Sequence, residues 1–271
     1  MRIATWNVNS IRARRGRFAA WIARWHPDVL ALQETKCSDE VFAGIMTEVL
    51  PAGYEFVHHG HDHWNGVAIV SRVGIDEVRR GLPGVNRAPF DEPRVVSARC
   101  GGIEVHSIYA PNGRELDDPH YLYKLVWFER LRTIRRPGRP TVLMGDFNVA
   151  PADIDIYDPV RWRRRTHASK PERAALDALV DTGLVDATRD HLGDEPGFTW
   201  WSYRPGQFEL DRGLRIDLAL CSPEVAGRVG RVTIDRAERI DDRPDEKPSD
   251  HAPLVLDLDR LAPEAVARRV L

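Results

Sequence analysis

A single α+β domain, with mixed sheets inside and helices outside, is the architecture the sequence predicts. Two observations carry it. Candidate strands occur both as turn-linked hairpins and as neighbours separated by a helix, a combination that suits mixed sheets with an outer helical layer. No linker, repeat or low-complexity tract divides the 271 residues, so one large core accounts for the chain.

In chain order, Ile3 to Val8 reads as a first strand that breaks into Asn7-Val8-Asn9-Ser10. Phe18, Trp21, Ile22 and Trp25 then follow helical spacing, and Pro27 ends that helix. Val29 to Leu32 is a second strand, again running into polar residues, Gln33-Glu34-Thr35-Lys36. From Tyr54 the pattern shortens: Tyr54 to His58, Gly66 to Ser71, Val95 to Cys100 and Ile103 to Tyr109 are strands, with Gly101-Gly102 as a hairpin signal. Asp118-Pro119 opens a helix containing Tyr121, Leu125, Phe128 and Leu131. Thr141 to Met144 is a buried strand ending in Gly145-Asp146-Phe147-Asn148. A helix over 171–180 has Pro171 at its start and Gly183 beyond its end. Arg215 to Cys221, Arg231 to Ile234 and Pro253 to Leu258 are the closing strands.

Composition narrows the function classes. The apolar and charged fractions, 42% and 30%, are those of an ordinary globular protein. A net charge of −2 argues against a histone-like coating role, though not against a local basic footprint. Arg161-Trp-Arg-Arg-Arg165 and the set Arg12, Arg14, Arg15 and Arg17 could each track a phosphate backbone, or could be solvated faces. Leu131 to Arg139 is similarly basic and is expected to be exposed and uninvolved. Cys37, Cys100 and Cys221 are odd in number and widely spaced, which fits neither a disulfide framework nor a zinc site and suits a reducing compartment. The N-terminus turns polar too early for a signal peptide, and no stretch reaches transmembrane length. A cytoplasmic location is the expectation.

Polar residues gather just after the apolar runs: Asn7, Glu34, Tyr109 with Asn112, Asp146 with Asn148, Asp217, and Asp250 with His251. Taken alone, Gly145 to Asn148 could be a simple turn, because Gly, Asp and Asn all favour turns. Taken together, the set is rich in oxygen ligands and lacks thiolates, which points to Mg²⁺ or Mn²⁺. Four converging carboxylates would repel one another, and a divalent ion would offset that. His251 lies beside Asp250 and has Asp217 as a second candidate partner; a carboxylate that fixes an imidazole tautomer is a recurring catalytic arrangement.

Six stretches in this order resemble the motifs of the exonuclease III family within the endonuclease/exonuclease/phosphatase superfamily. They are Trp6-Asn-Val-Asn-Ser-Ile-Arg12, Leu32-Gln-Glu-Thr-Lys36, Tyr109-Ala-Pro-Asn112, Gly145-Asp-Phe-Asn148, Gly213-Leu-Arg-Ile-Asp-Leu218 and Glu246-Lys-Pro-Ser-Asp-His-Ala-Pro253. The resemblance implies a four-layer αββα sandwich over 1–258, with 259–271 as a C-terminal extension. It implies a monomeric DNA repair nuclease that hydrolyses the phosphodiester 5′ to abasic sites in duplex DNA and also works on 3′ ends, at the nucleoid and not at a membrane. By the same resemblance Asn7, Glu34, Asp146, Asn148, Asp250 and His251 would hold the metal. Tyr109, Asp146, Asn148, Asp217 and His251 would be catalytic, with either Asp146 or His251 as base, and Asn112 would contact the phosphate.

Phe198-Thr-Trp-Trp-Ser-Tyr-Arg204 with Leu214 resembles the family's aromatic loop, which implies a pocket of Trp200, Trp201 and Leu214 for a flipped abasic sugar, with Phe198 behind it. Plain core packing is the competing reading of these aromatics. The chain departs from some eukaryotic relatives at Asn9, where they carry Asp, and at Leu214, where they carry Trp. The segment 113–119 is poorly fixed by the family pattern. Two rival functions stand beside the main one: a superfamily phosphoesterase acting on another substrate (a nonspecific DNase, or a hydrolase of small or lipid phosphodiesters), and a DNA-damage binder without catalysis. The intact carboxylate set speaks against the second.

Overall fold

The structure, a computed structural model, describes residues 1–84 and 91–259; all but Asp259 of the expected C-terminal extension lies outside that range. Twelve strands are present among the described residues: β1 Arg2–Asn7, β2 Val29–Gln33, β3 Glu55–His59, β4 Val67–Ser71, β5 Asp76–Arg80, β6 Val95–Cys100, β7 Ile103–Tyr109, β8 Thr141–Asp146, β9 Val185–Asp186, β10 Asp217–Cys221, β11 Val229–Ile234 and β12 Leu254–Leu258. They form two six-stranded sheets, ordered β11-β12-β1-β2-β4-β3 and β5-β6-β7-β8-β10-β9. Both are mixed: β1–β2 and β7–β8 pair in parallel, and the other neighbours are antiparallel.

The helices are α1 Arg15–Trp25, α2 Asp39–Val49, α3 Pro119–Leu131, α4 Pro159–Trp162, α5 Lys170–Val180, α6 Ala187–Leu192 and α7 Pro223–Ala226. Strand alternation sorts the side chains into three apolar layers. Between the sheets, Val29, Ala31 and Ile69 of the first meet Val105, Val142 and Met144 of the second. Outside the first sheet, Leu30 and Leu32 pack with Phe18, Trp21, Phe42 and Met46 of α1 and α2. Outside the second, Leu143, Leu218 and Leu220 pack with Trp127, Phe128, Leu176 and Leu179 of α3 and α5. The result is the expected αββα sandwich.

Most elements fall where the sequence puts them. Six do not appear in that reading. Helix α2 carries a visible signal, since the Ser38 hydroxyl accepts from the Val41 N–H and Phe42, Ile45 and Met46 share its buried face. Strand β5 has no alternation to detect: it is a polar sheet edge, with a register shift between Asp76 and Arg79. The other four, α4, β9, α6 and α7, are too short to show a period. The Leu131–Arg139 stretch is not uninvolved, because Leu131 and Ile134 are buried and Arg136 and Arg139 both pair with Glu77 of β5.

One buried ion pair anchors α3 and α5 beneath the loops at the sandwich mouth. Lys124 and Glu172 have no exposed side-chain surface and lie 2.5 Å apart. Lys124 Nζ also donates to the carbonyls of Asn148 (2.7 Å) and Asn112 (3.2 Å). Burial pulls the ammonium below its ordinary range against Glu172's attraction, while Lys124 outweighs burial in holding the carboxyl of Glu172 down. Lys124→Met should therefore cost about 3–5 kcal/mol by stranding a buried carboxylate. Urea unfolding checks this, and a double Lys124→Met/Glu172→Leu variant should recover a good part of the loss.

Candidate active site

Register sets the site. In the second sheet Asp146 of β8 pairs with Tyr109 of β7 on one side and Asp217 of β10 on the other. In the first, Asn7 at the end of β1 pairs with Gln33, one residue before Glu34. Asp146 shares the inward face with Val142 and Met144, and Asp217 shares it with Ala219 and Cys221. At its open end, then, the apolar interface between the sheets becomes carboxylate. Gly145 permits the approach: its φ is +140°, and a Cβ there would lie 2.0 Å from the Ile108 carbonyl oxygen and 2.9 Å from Gln33 Nε2.

The two sheets meet through Asn7, whose Nδ2 donates to Glu34 Oε1 (2.8 Å) and Asp146 Oδ2 (3.0 Å). Its Oδ1 is occupied by the Asn9 N–H. Asn7 thus acts here as a bridge between carboxylates; as a metal ligand it would have to turn its amide and give up the Asn9 bond. Glu34 sits at φ +51°, tied to Lys36 Nζ at 2.8 Å. The next residue is locked by a relay the sequence reading missed. The Thr35 hydroxyl donates to His58 Nε2 (2.7 Å), and His58 Nδ1–H donates to Asp39 (2.7 Å). Burial lowers the imidazole to about 4 despite Asp39, which keeps it neutral and fixes those roles.

His251 comes from the turn before β12, where Ser249 Oγ donates to the Asn7 carbonyl and accepts from the His251 N–H. Its Nδ1–H donates to Asp217 Oδ2 at 2.8 Å, and its Nε2 lies 3.7 Å from Asp146 Oδ2. Burial alone would lower this imidazolium, but Asp217 and Asp146 outweigh it and raise it to about 10. Asp146 moves up as well: burial, then Asp217 and Glu34, overcome the pull of His251. Burial and the Glu34 charge push Tyr109 well above its ordinary range, so its phenol stays a donor to Glu34.

Donor atoms of Glu34, Asp146 and His251 all lie within 4.8 Å of one another, and this group can hold a metal ion. The donor set fits a hard divalent cation, since two of its three members are carboxylates and none is a thiolate. His251 can join as a ligand only after losing its proton. Asp250 stands apart from the group, its two oxygens accepting from Asn9 Nδ2 (2.8 Å) and Trp200 Nε1 (3.0 Å). Asn148, at φ +53°, donates from Nδ2 to the Ala110 carbonyl and offers its Oδ1 to Asn112 at 3.4 Å, so its amide faces Ala110 and Asn112 and not the carboxylates.

The aromatic pocket differs from the expectation. Trp200 and Trp201 are consecutive in extended chain and face opposite ways. Trp201 has no exposed surface and packs with Phe198 and Ala252, its Nε1 donating to Asp211. Leu214 is also fully buried, beneath Trp200. Of the three, Trp200 alone reaches the surface, and its half-buried neighbour is Trp162, edge-on at 6.5 Å. The sequence places Trp162 in a basic stretch without linking it to this wall. His167, between Asn148 and Asn112, carries no motif at all. The early arginines are likewise corrected: Arg17 is buried against Asp242 and Glu246, Arg14 ties Asn9 to Tyr203 and Pro248, Arg15 pairs with Glu48, and Arg12 donates to the Lys36 carbonyl.

The proton balance is testable directly. In metal-free protein the His251 ring protons should hold their imidazolium shifts past pH 8 in an NMR titration. Removing the facing charge with Asp217→Asn should bring the midpoint down by about 1–3 pH units.

Comparison with known proteins gives three kinds of match. The model of the Endonuclease/Exonuclease/phosphatase family matches residues 4–251. Exodeoxyribonuclease III of Haemophilus influenzae is 34% identical over 94% of this chain and 98% of its own length. Among solved structures, the 3′ phosphatase NExo from Neisseria, bound to a product DNA hairpin, superposes with a TM-score of 0.90 at 38% identity, covering 96% of this chain and 100% of that one. An AP endonuclease from Archaeoglobus fulgidus gives 0.88 at 35% identity over the same shares.

Proposed function

The chain belongs to the endonuclease/exonuclease/phosphatase family and, within it, to the exodeoxyribonuclease III group, and from that premise we propose that it is a metal-dependent DNA repair nuclease. It would cut the phosphodiester 5′ to abasic sites in duplex DNA and trim 3′ ends, as a single-domain monomer acting on cytoplasmic DNA. The observation that carries this reading is His251 set between Asp217 and Asp146, 2.8 and 3.7 Å away, beside Glu34.

Glu34 and Asp146 would hold Mg²⁺ or Mn²⁺, which supplies positive charge against the phosphorane and the leaving oxygen. The protein's own groups account for the rest. A water attacks phosphorus in line, its proton passing to Asp146, and the bond to the 3′ oxygen breaks, that oxygen taking a proton from solvent, to leave a 3′ hydroxyl and a 5′ phosphate. Asp146 suits the acceptor role because its carboxyl is held above its usual range, whereas His251 already carries its proton. The His251 Nε2–H donates to a non-bridging oxygen, with Asp217 keeping the ring charged. Asn112 and Asn148 donate to the same phosphate, Tyr109 turns its single proton from Glu34 to it when the cation takes that carboxylate, and Trp200 flanks the sugar.

A second weighting, 3′-end trimming over abasic incision, has one observation in its favour: Trp201 and Leu214 offer no surface to a flipped sugar. End-labelled duplexes, one abasic and one with a blocked 3′ end, separate the two when incubated with Mg²⁺ or Mn²⁺. In either case Asp146→Asn should lower cleavage by about 10²–10⁴-fold while leaving DNA affinity intact. Loss of affinity in place of turnover would remove Asp146 from the chemistry.

A further inference from the structure

Several arginines beside the active site have no close carboxylate partner, whereas others in the protein bridge two acids. Arg24 bridges Asp235 and Glu238, and Arg215 bridges Asp155 and Asp186. On the turn after α4, by contrast, Arg163 and Arg164 make no ion pair among the described residues, and both are exposed. Arg165 lies over the Trp162 ring at 5.7 Å and not against a carboxylate. Across from this turn, Arg114 reaches Asp118 only at 3.7 Å, with its side chain 66% exposed.

These groups enclose a cleft of about 370 Å³. Arg114, Arg164 and Arg165 line it beside Trp162, and Thr166 and His167 complete the wall; Glu115 is the one acid. The cleft continues directly into the active site. Thr166 Oγ1 donates to the Asn112 carbonyl (2.8 Å), His167 Nδ1–H donates to the Asn148 carbonyl (2.6 Å), and Asn112 Nδ2 lies 3.4 Å from both His167 Nε2 and Asn148 Oδ1. Trp162 also reaches Trp200 on the other side. A strand leaving the reaction centre past Trp200 would meet first an aromatic edge and then three guanidinium groups, whose planar forks match phosphate oxygens.

We propose that this cleft is a second phosphate subsite, taking the backbone phosphate of the DNA strand next to the one being cut. It rests on the nuclease reading above and adds a reason for preferring polynucleotides to small phosphodiesters. The ligand class follows from the chemistry. Three cations facing one acid ask for an anion, and the aromatic edge beside them asks for a nucleotide.

The test uses the full-length protein and a fluorescent duplex, bound in EDTA so that it stays uncut, with bis(p-nitrophenyl) phosphate as a substrate lacking a second phosphate. Relative to wild type, Arg164→Ala/Arg165→Ala should weaken DNA binding about 10-fold near 50 mM salt and lower the slope of log Kd against log salt by about 1, the roughly 0.9 expected for one lost phosphate contact. Turnover of the small diester with Mn²⁺ should stay within about twofold, since that substrate lacks the contact. The paired lysine variant should restore most of the slope, and Arg231→Ala, an exposed arginine on β11, should not alter it. An unchanged slope in the alanine variant, or an equal loss on both substrates, overturns the subsite. A wild-type protein that hydrolyses neither DNA nor the small diester sinks the nuclease reading itself, and the subsite with it.

Discussion

Repulsion among buried carboxylates is the constraint around which the rest is arranged. Asp146 is 1% exposed, with Asp217 beside it in the sheet and Glu34 facing it from the other sheet. Such a group is costly unless positive charge or donors compensate it. The fold supplies part of that compensation. Asn7 donates to two of the carboxylates, Lys36 reaches Glu34, and His251 stands between the two aspartates. The remainder is a place for a cation. Stability and chemistry therefore share one cause, because the same crowding that keeps Asp146 ready for a proton keeps His251 from giving one up.

Much of this was legible in the sequence because strand geometry is simple. Apolar runs ending in Asn7, Glu34, Asp146 and Asp217 marked strands whose ends carry ligands, and side-chain alternation turned them inward. The open question, Asp146 or His251 as base, could not be read there. It depends on which charges surround each group, and those come from four separate stretches of the chain, at Glu34, Asp146, Asp217 and His251. The proposed mechanism gives the role to Asp146 on the strength of those surrounding charges.

Other features escaped for different reasons. Trp200 and Trp201 are indistinguishable as letters, and only the extended chain between them decides which one faces outward. Arg12, Arg14, Arg15 and Arg17 looked like a phosphate track, yet tertiary partners such as Asp242 and the Pro248 carbonyl claim them. The Arg161–Arg165 stretch has the same appearance in sequence and the opposite fate: Trp162 packs against Trp200, while among the described residues no carboxylate forms an ion pair with its arginines. The Thr35–His58–Asp39 relay is local in space but spread over three elements, and no spacing rule announces it.

The most direct test of the central claim is anomalous scattering from Mn²⁺ in crystals grown without substrate. The account predicts a peak at ligand distance, about 2.0–2.3 Å, from carboxylate oxygens of Glu34 and Asp146. It also predicts that the peak disappears in Glu34→Gln. Manganese confined to surface acids such as Asp241 and Asp242, or no peak at saturating concentration, would contradict it.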